Sequence, residues 1–180
     1  MALKKTSFEK ADFALRLLTF VALVAGGAWA AYQYKLTGAD DWTNNMTVDA
    51  KVLPYHDDLR LLVVHVRSKN PRNTTFELES KSHDSYSLTV RKIAADAKVG
   101  TVFHEDAGDV IAKVDLLDEA SGDYEFLPGA EMDDMQTIVL PAGITVVLTA
   151  DMEIHNGTTD ENGKPDSDSI SVSTVARVEP

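Results

Sequence analysis

The chain has 180 residues, a formal net charge of −12 and no cysteine. This length suits one main domain with a sizeable core. The absence of cysteine excludes a disulfide framework, a thiolate zinc site, an iron–sulfur cluster and cysteine catalysis. The acidic balance argues against a protein that wraps nucleic acid, because phosphate binding requires clustered lysine and arginine side chains.

The charge is distributed unevenly along the chain. Residues 1–35 contain five basic and two acidic residues, a net charge of +3. Residues 36–180 contain 12 basic and 27 acidic residues, a net charge of −15. A basic head joined to an acidic body predicts that the two parts lie in different environments.

The first predicted element is a transmembrane helix over residues 17–34, which contain no formal charge. A helix of that length spans about 27 Å, close to the roughly 30 Å of a bilayer's hydrocarbon layer. The cations before the segment place residues 1–16 in the cytoplasm, so the inner (plasma) membrane would be crossed once and the C-terminal domain would be periplasmic or otherwise extracytoplasmic. Four residues are expected at the membrane interfaces: Arg16, Trp29, Tyr32 and Tyr34.

Two other interpretations of this segment stay open, a buried core helix and a cleaved signal peptide. The small-x-small pattern of Ala28-Trp29-Ala30 is typical of a signal-peptidase site. Against cleavage, the basic region is long and Thr6 and Glu9 form a capping box, which predicts one continuous helix from about residue 7 to residue 34. We therefore expect the segment to be retained as an anchor.

One face of the predicted helix carries small residues four positions apart. These are Ala22, Gly26 and Ala30, with Gly27 beside them. Such a small-xxx-small surface permits close backbone approach between membrane helices. The pattern predicts that these four residues pack against a helix of an integral membrane protein partner.

A tether at residues 35–45 precedes a β-rich domain at residues 46–180, in which apolar and polar residues alternate with period two. Eight runs are predicted as strands, at residues 46–52, 59–67, 74–79, 86–90, 110–116, 135–140, 144–154 and 170–178. A weak short helix is expected at residues 93–99, and His104-Glu105-Asp106 is expected in a polar loop. Without long amphipathic helices to cross between strands, these runs predict a mainly β protein: an antiparallel immunoglobulin-like β-sandwich of seven or eight strands after one transmembrane α-helix.

One short segment also resembles a known fold. The apolar strand from Leu61, which leads into Ser68-Lys69-Asn70-Pro71, resembles the central strand and turn of immunoglobulin-like sandwiches, including those of late-embryogenesis-type domains. The resemblance covers about a dozen residues and implies a fold without implying a function.

Catalytic and cofactor motifs are absent from the sequence. There is no Gly-x-Ser-x-Gly nucleophile elbow and no His-Glu-x-x-His zinc motif, and the five histidines are scattered. His65 lies within a predicted strand and is expected to be a hydrogen-bonded or surface histidine. We therefore expect no enzyme, no cofactor and no small-molecule substrate; an enzyme built on dispersed acidic pairs is the remote alternative.

The weak metal candidate is the acidic segment at residues 156–168, interpreted as a hairpin loop. Its oxygen ligands for calcium would be Asp160, Asn162, Asp166 and Asp168, although their spacing fails the EF-hand rule. The acidic pairs Asp57-Asp58 and Asp133-Asp134 are expected in loops at one end of the sandwich.

These features predict a non-catalytic accessory or structural subunit. Its helix would pack into a larger membrane protein assembly and its acidic β-sandwich would dock on the extracytoplasmic face, with charge complementarity assisting the encounter. The alternative is a tethered, or signal-peptide-cleaved, extracytoplasmic module that binds a ligand, a peptide or calcium.

Overall fold

A computed structural model describes the backbone of residues 3–36, 42–104, 106–159, 163 and 165–179. It describes side chains at residues 12–33, 42–104, 106–155, 157–159, 163 and 166–179. The chain divides into two compact units, Met1–Trp42 and Thr43–Pro180.

The first unit is a single α-helix, α1 (Leu3–Leu36). Within it, the stretch Asp12–Gln33 is 22 residues long and apolar enough to cross a membrane, and all its side chains are exposed. This exposure is opposite to that of a soluble core helix. Because the helix lies near the N-terminus, its length and composition suit both a membrane anchor and a signal sequence.

The second unit is mainly β. Its described residues form nine strands: β1 (Asn45–Pro54), β2 (Leu59–Lys69), β3 (Phe76–Glu79), β4 (Ser85–Lys92), β5 (Asp109–Asp115), β6 (Asp123–Phe126), β7 (Glu131–Pro141), β8 (Thr145–Thr159) and β9 (Pro165–Arg177). A 3₁₀ turn (Ser80–Ser82) follows β3, and a four-residue helix, α2 (Leu116–Glu119), follows β5.

The strands pair antiparallel in three sheets. The three-stranded sheet has the order β1-β2-β7, the four-stranded sheet β5-β4-β8-β9, and β3 pairs with β6. Neighbours such as β7 and β8 follow one another in the chain but belong to different sheets. The prediction of a mainly β, antiparallel domain after one apolar helix is confirmed.

The core contains the even-numbered side chains of β2, β4 and β8, because alternate residues of a strand point to opposite faces. Leu62, Val64 and Val66 of β2 are fully buried, as are Leu88 of β4 and Leu148 of β8. Tyr86 of β4 is also fully buried, and its hydroxyl lies 3.0 Å from the Ser68 Oγ atom of β2. This contact joins the four-stranded sheet to the three-stranded sheet.

Several details of the sequence interpretation were wrong. The eight predicted strands are present, but the described residues contain a ninth, β6, a four-residue run between Gly122 and Pro128 that is too short for a periodicity signal. Residues 93–99 form no helix. Leu116, predicted to end a strand, begins α2, because the Asp115 carboxylate caps the helix by accepting hydrogen bonds from the backbone N–H groups of Leu117 and Asp118.

The two acidic segments also differ from expectation. Residues 156–159 and 165–168 continue β8 and β9, so the predicted loop at residues 156–168 is mostly a strand pair with a register shift near His155. Asp133 and Asp134 lie within β7 instead of in a loop, because β7 begins at Glu131, four residues before the predicted start. Only Asp57-Asp58 lies between strands as predicted, at the turn from β1 to β2, where Asp57 has a φ of 48°.

Candidate docking surface

The face of the three-stranded sheet that points away from the core is the candidate functional surface; we call it the outer face. The odd-numbered residues of β1, β2 and β7 lie on it, because their even-numbered neighbours point into the core. The register places these odd-numbered residues in rows across the three strands. Successive rows contain Leu53, Leu61 and Val139, then Lys51, Val63 and Thr137, then Asp49, His65 and Met135, then Thr47, Arg67 and Asp133.

One end of this face is apolar. The outer apolar patch consists of Leu53, Leu61, Val63, Met135 and Val139, which lie in three adjacent rows. Met135 is 59% exposed and Val139 is 47% exposed. Contiguous apolar side chains on a rigid sheet favour a protein contact, because scattered single apolar residues are ordinary on a surface but a continuous patch is not.

The other end carries a charged strip of Asp49, His65, Arg67 and Asp133. The Arg67 Nη1 atom donates to Asp49 Oδ2 at 2.7 Å, and the Arg67 Nε atom donates to Asp133 Oδ2 at 3.3 Å. The His65 Nδ1 atom lies 2.9 Å from Asp133 Oδ1, so His65 is a hydrogen-bonded surface histidine in the described structure. The strip connects β1, β2 and β7 and holds its side chains in one arrangement.

Electrostatics at Asp133 follow from these contacts. Burial acts to raise the pKa of this carboxyl group, but the hydrogen bonds and charges of His65 and Arg67 outweigh it, so the pKa of Asp133 lies below its ordinary value. Asp133 is therefore ionised at neutral pH and completes the strip as an anion.

Behind the outer face, Asp134 points in the opposite direction and joins two tyrosines. The Tyr86 hydroxyl donates to Asp134 Oδ2 at 3.0 Å, and the Tyr124 hydroxyl donates to Asp134 Oδ1. Since Tyr86 lies on β4 and Tyr124 on β6, this carboxylate connects all three sheets. We interpret the cluster as a structural support that keeps the outer face rigid.

Burial dominates the ionisation of this cluster. Desolvation raises the pKa of Asp134, reinforced by the charges of Asp133 and Glu119 and partly offset by the two tyrosine hydrogen bonds. Desolvation also raises the pKa values of Tyr86 and Tyr124, and the neighbouring Asp134 carboxylate raises them further. Both hydroxyls are therefore protonated donors, which matches the hydrogen bonds to Asp134.

The residues predicted for helix packing are all on α1. Ala22, Gly26, Gly27 and Ala30 are exposed, and a Cβ atom placed on either glycine would meet nothing within 4 Å. Within the described span, the Oγ1 atom of Thr19 donates a hydrogen bond to the Leu15 carbonyl at 2.9 Å. That bond satisfies the hydroxyl within the helix, as an apolar environment requires.

Three of the predicted interface residues can be placed. Arg16 forms an ion pair with Asp12 at 3.1 Å, and the rings of Trp29 and Tyr32 lie 6.1 Å apart. The Tyr34 side chain lies outside the described residues.

The calcium candidates are only half described. Asp160 and Asn162 lie outside the described residues, while Asp166 and Asp168 lie on β9. Asp166 Oδ2 accepts a hydrogen bond from the Thr158 hydroxyl at 3.3 Å. Among the side chains that the structure describes, no group of three histidine or acidic residues could hold a metal ion.

Sequence interpretation missed the outer apolar patch. The signal was present in the run at residues 59–67, because a strand that is apolar at both odd and even positions is covered on both faces. That run was interpreted only as a central strand, and no pattern indicated that its second apolar face would lie beside Met135 and Val139.

Compared with protein-family models, with curated proteins and with solved structures, the chain matches none of them.

Proposed function

We propose that this chain is a non-catalytic, single-pass membrane-anchored accessory subunit of a larger membrane protein assembly. The outer apolar patch carries this proposal, because it is a contiguous apolar surface, half-exposed to exposed, that the described residues of the β unit leave uncovered. The partner is an integral membrane protein that contacts the patch on the extracytoplasmic side. Residues 1–16 are cytoplasmic, residues 17–34 cross the inner membrane, and residues 46–180 form the docking domain.

The chemistry of the partner follows from charge. Residues 36–180 carry a net charge of −15. A partner surface with apolar side chains at its centre fits the outer apolar patch, and lysine or arginine elsewhere on the partner suits the negative charge of the domain as a whole. The charges would accelerate the encounter and set its orientation, while the apolar contact would supply most of the affinity.

We also propose that the β unit is an immunoglobulin-like sandwich. The buried faces of β2 in one sheet and of β4 and β8 in the other support this, as does the Tyr86–Ser68 contact between the sheets. The β3–β6 pair is an addition to such a sandwich. This arrangement would make the outer face a flat, preformed docking surface.

Mild-detergent extraction of the native protein, followed by native electrophoresis and mass spectrometry, tests the function. We expect the wild type to comigrate with a large complex. Val139→Glu should abolish comigration without changing the melting temperature, because it places an uncompensated carboxylate in the outer apolar patch. Val175→Glu is the matched control, since Val175 is 63% exposed but lies on the four-stranded sheet.

Gly26→Leu combined with Gly27→Leu tests the helix face separately. Because no described residue lies within 4 Å of a Cβ atom at either position, we expect the larger side chains to disturb a neighbouring helix and not α1 itself. Ala25→Leu combined with Ala28→Leu is the control variant.

Two outcomes would contradict the proposal. Equal retention of the complex by Val139→Glu and Val175→Glu would remove the outer apolar patch as the interface. A lone wild-type particle in every mild detergent would favour the tethered binding module instead, and a mature N-terminus after Ala30 would favour its signal-peptide-cleaved form.

A further inference from the structure

The four-stranded sheet carries a polar recess on the face that points away from the core. It is lined by Thr89 and Arg91 of β4, Thr149 and Asp151 of β8, and Asp106 from the segment between β4 and β5. The cavity volume is about 180 Å³. This recess is on a different sheet from the outer apolar patch and takes no part in the proposed docking.

The strand register explains why these side chains converge. Leu88 and Val90 point into the core, so Thr89 and Arg91 point outward, and Thr89 pairs directly with Thr149. Although both threonines face away from the core, Thr89 is only 8% exposed and Thr149 only 5%. They therefore form the floor of the recess, with Arg91 one row beyond them on one side and Asp151 one row beyond them on the other.

The segment between β4 and β5 that contains Asp106 is anchored to the four-stranded sheet at both of its ends. At one end of the segment the Ile93 N–H donates to the Thr145 carbonyl at 3.0 Å. At the other end Gly108 has a φ of +93°, and a Cβ atom there would lie 2.3 Å from the Lys92 carbonyl oxygen. Only glycine permits this approach, so the chain returns tightly against β4 two residues after Asp106.

The charged groups of the recess have no side-chain partner among the residues that the structure describes. Among the described side chains, Arg91, Asp106 and Asp151 have no hydrogen bond or ion pair, whereas Arg67 on the other sheet contacts two aspartates. The recess therefore offers a guanidinium fork and two carboxylates in one concavity above a hydroxyl-bearing floor. Guanidinium pairs with a carboxylate through two parallel hydrogen bonds, and carboxylates bind ammonium groups.

We propose that this recess binds a small zwitterion, namely a free α-amino acid or a molecule with the same two charged groups. The ligand's carboxylate contacts Arg91, its ammonium group contacts Asp151 and Asp106, and its body lies over Thr89 and Thr149. The volume equals that of about six liquid water molecules, which suits an amino acid with a small side chain. This proposal is independent of the docking function.

Isothermal titration calorimetry of the full-length protein in nanodiscs tests it, with L-serine as the probe and empty nanodiscs as the blank. We expect saturable binding of L-serine and much weaker binding of acetate or methylammonium, each of which has only one of the two charges. Arg91→Gln and Asp151→Asn should each weaken L-serine binding about tenfold or more, because each removes one charge-assisted contact. Arg177→Gln, an exposed arginine on β9 outside the recess, is the matched control and should bind as the wild type does.

Thermal unfolding of the same variants separates lost binding from lost folding, since all three positions are on the surface and should leave the melting temperature unchanged. The proposal is overturned if L-serine does not bind the wild type, if Arg91→Gln binds it as tightly as Arg177→Gln does, or if uncharged glucose binds equally well.

Discussion

The helix α1 and the strand β2 are both rich in apolar residues, yet their side chains have opposite environments. Every described side chain of Asp12–Gln33 is exposed, whereas Leu62, Val64 and Val66 of β2 are fully buried. The β unit covers the core-facing apolar side chains of β2 with its own sheets and leaves the outer apolar patch open, whereas no described residue of the first unit covers the apolar side chains of Asp12–Gln33. The apolar content of a segment therefore determines that it must be covered. The surroundings of the segment determine whether the protein's own sheets, lipid or another protein covers it.

The largest expected difference between the two regions comes from the same truncation in each. Leu88→Ala should lower the free energy of unfolding of the β unit by about 2–5 kcal/mol, because it leaves a cavity in a closely packed core. Leu23→Ala in α1 should leave that free energy unchanged. Urea denaturation of each variant, with amide hydrogen exchange in β4 and β8 as the readout, measures the two free energies of unfolding. Equal destabilisation by Leu88→Ala and Leu23→Ala would contradict the contrast between the helix and the β unit.

A charge introduced into α1 should have the opposite pattern of effects, because it should impair membrane insertion and leave the β unit folded. Leu23→Arg lies near the middle of the span and costs about 2.5–3.5 kcal/mol of membrane insertion. It should shift the protein into the supernatant on alkaline carbonate extraction, with the β unit still folded. Ser169→Arg, at an exposed position on β9, is the control and should stay with the membrane. Retention of both variants would argue against a lipid-embedded helix.

Removal of one buried hydroxyl should have a moderate effect that is confined to the β unit. Tyr86→Phe leaves Ser68 and Asp134 each without one hydrogen bond and should cost about 1–3 kcal/mol of stability. Tyr55→Phe, at an exposed tyrosine, should cost nothing measurable. Thermal unfolding distinguishes the two variants, and an unperturbed Tyr86→Phe would show that Asp134 does not support the sheets.

The smallest effect is electrostatic and depends on pH. The folded-state pKa of Asp133 lies below its ordinary value, so the ionised group stabilises the fold above the unfolded-state pKa of about 3.9, and this contribution is lost as the pH falls through the folded-state pKa. Because the ion pair of Asp133 with Arg67 is exposed to solvent, Asp133→Asn should lower the free energy of unfolding by less than about 1 kcal/mol at neutral pH.

The neighbouring Asp134 should behave in the opposite way. Its folded-state pKa is raised, so the fold gains stability as the pH falls through that raised value toward the unfolded-state value, and Asp134→Asn should remove this gain. Urea denaturation at a series of pH values measures both variants. Identical pH profiles for Asp133→Asn and Asp134→Asn would contradict the assignment of these two side chains to different faces of β7.

Residue patterns predicted the helix and eight of the strands because long apolar periodicities are local signals. They did not predict β6, whose four residues are too few to show a period, or α2, which depends on a cap from Asp115. They also assigned Asp133 and Asp134 to a loop, because acidic pairs are common in turns. In the structure both residues lie on β7, which pairs with β2. It is this long-range pairing, and not the local sequence, that makes them part of a strand.

The two proposed binding surfaces were even harder to predict from the sequence than these elements were. The small-residue face of α1 is a local pattern and was identified, but the outer apolar patch joins residues from three strands and the polar recess joins residues from two strands and a loop. Of the recess residues, Asp106 lies in the predicted polar loop His104-Glu105-Asp106, and no residue near it in the sequence indicates that Arg91 or Thr149 would be its neighbour.

The sequence alone determined that one segment needs an apolar environment, that the acidic remainder forms strands, and which residues of each strand share a face. These properties depend on neighbours three or four positions away in a helix and two positions away in a strand. Only the tertiary structure decided which strands are adjacent and which face of each sheet is covered. Strand pairing is long-range, so the patch at Leu61 and Val139 and the recess at Arg91 and Asp151 exist only once the sheets are assembled.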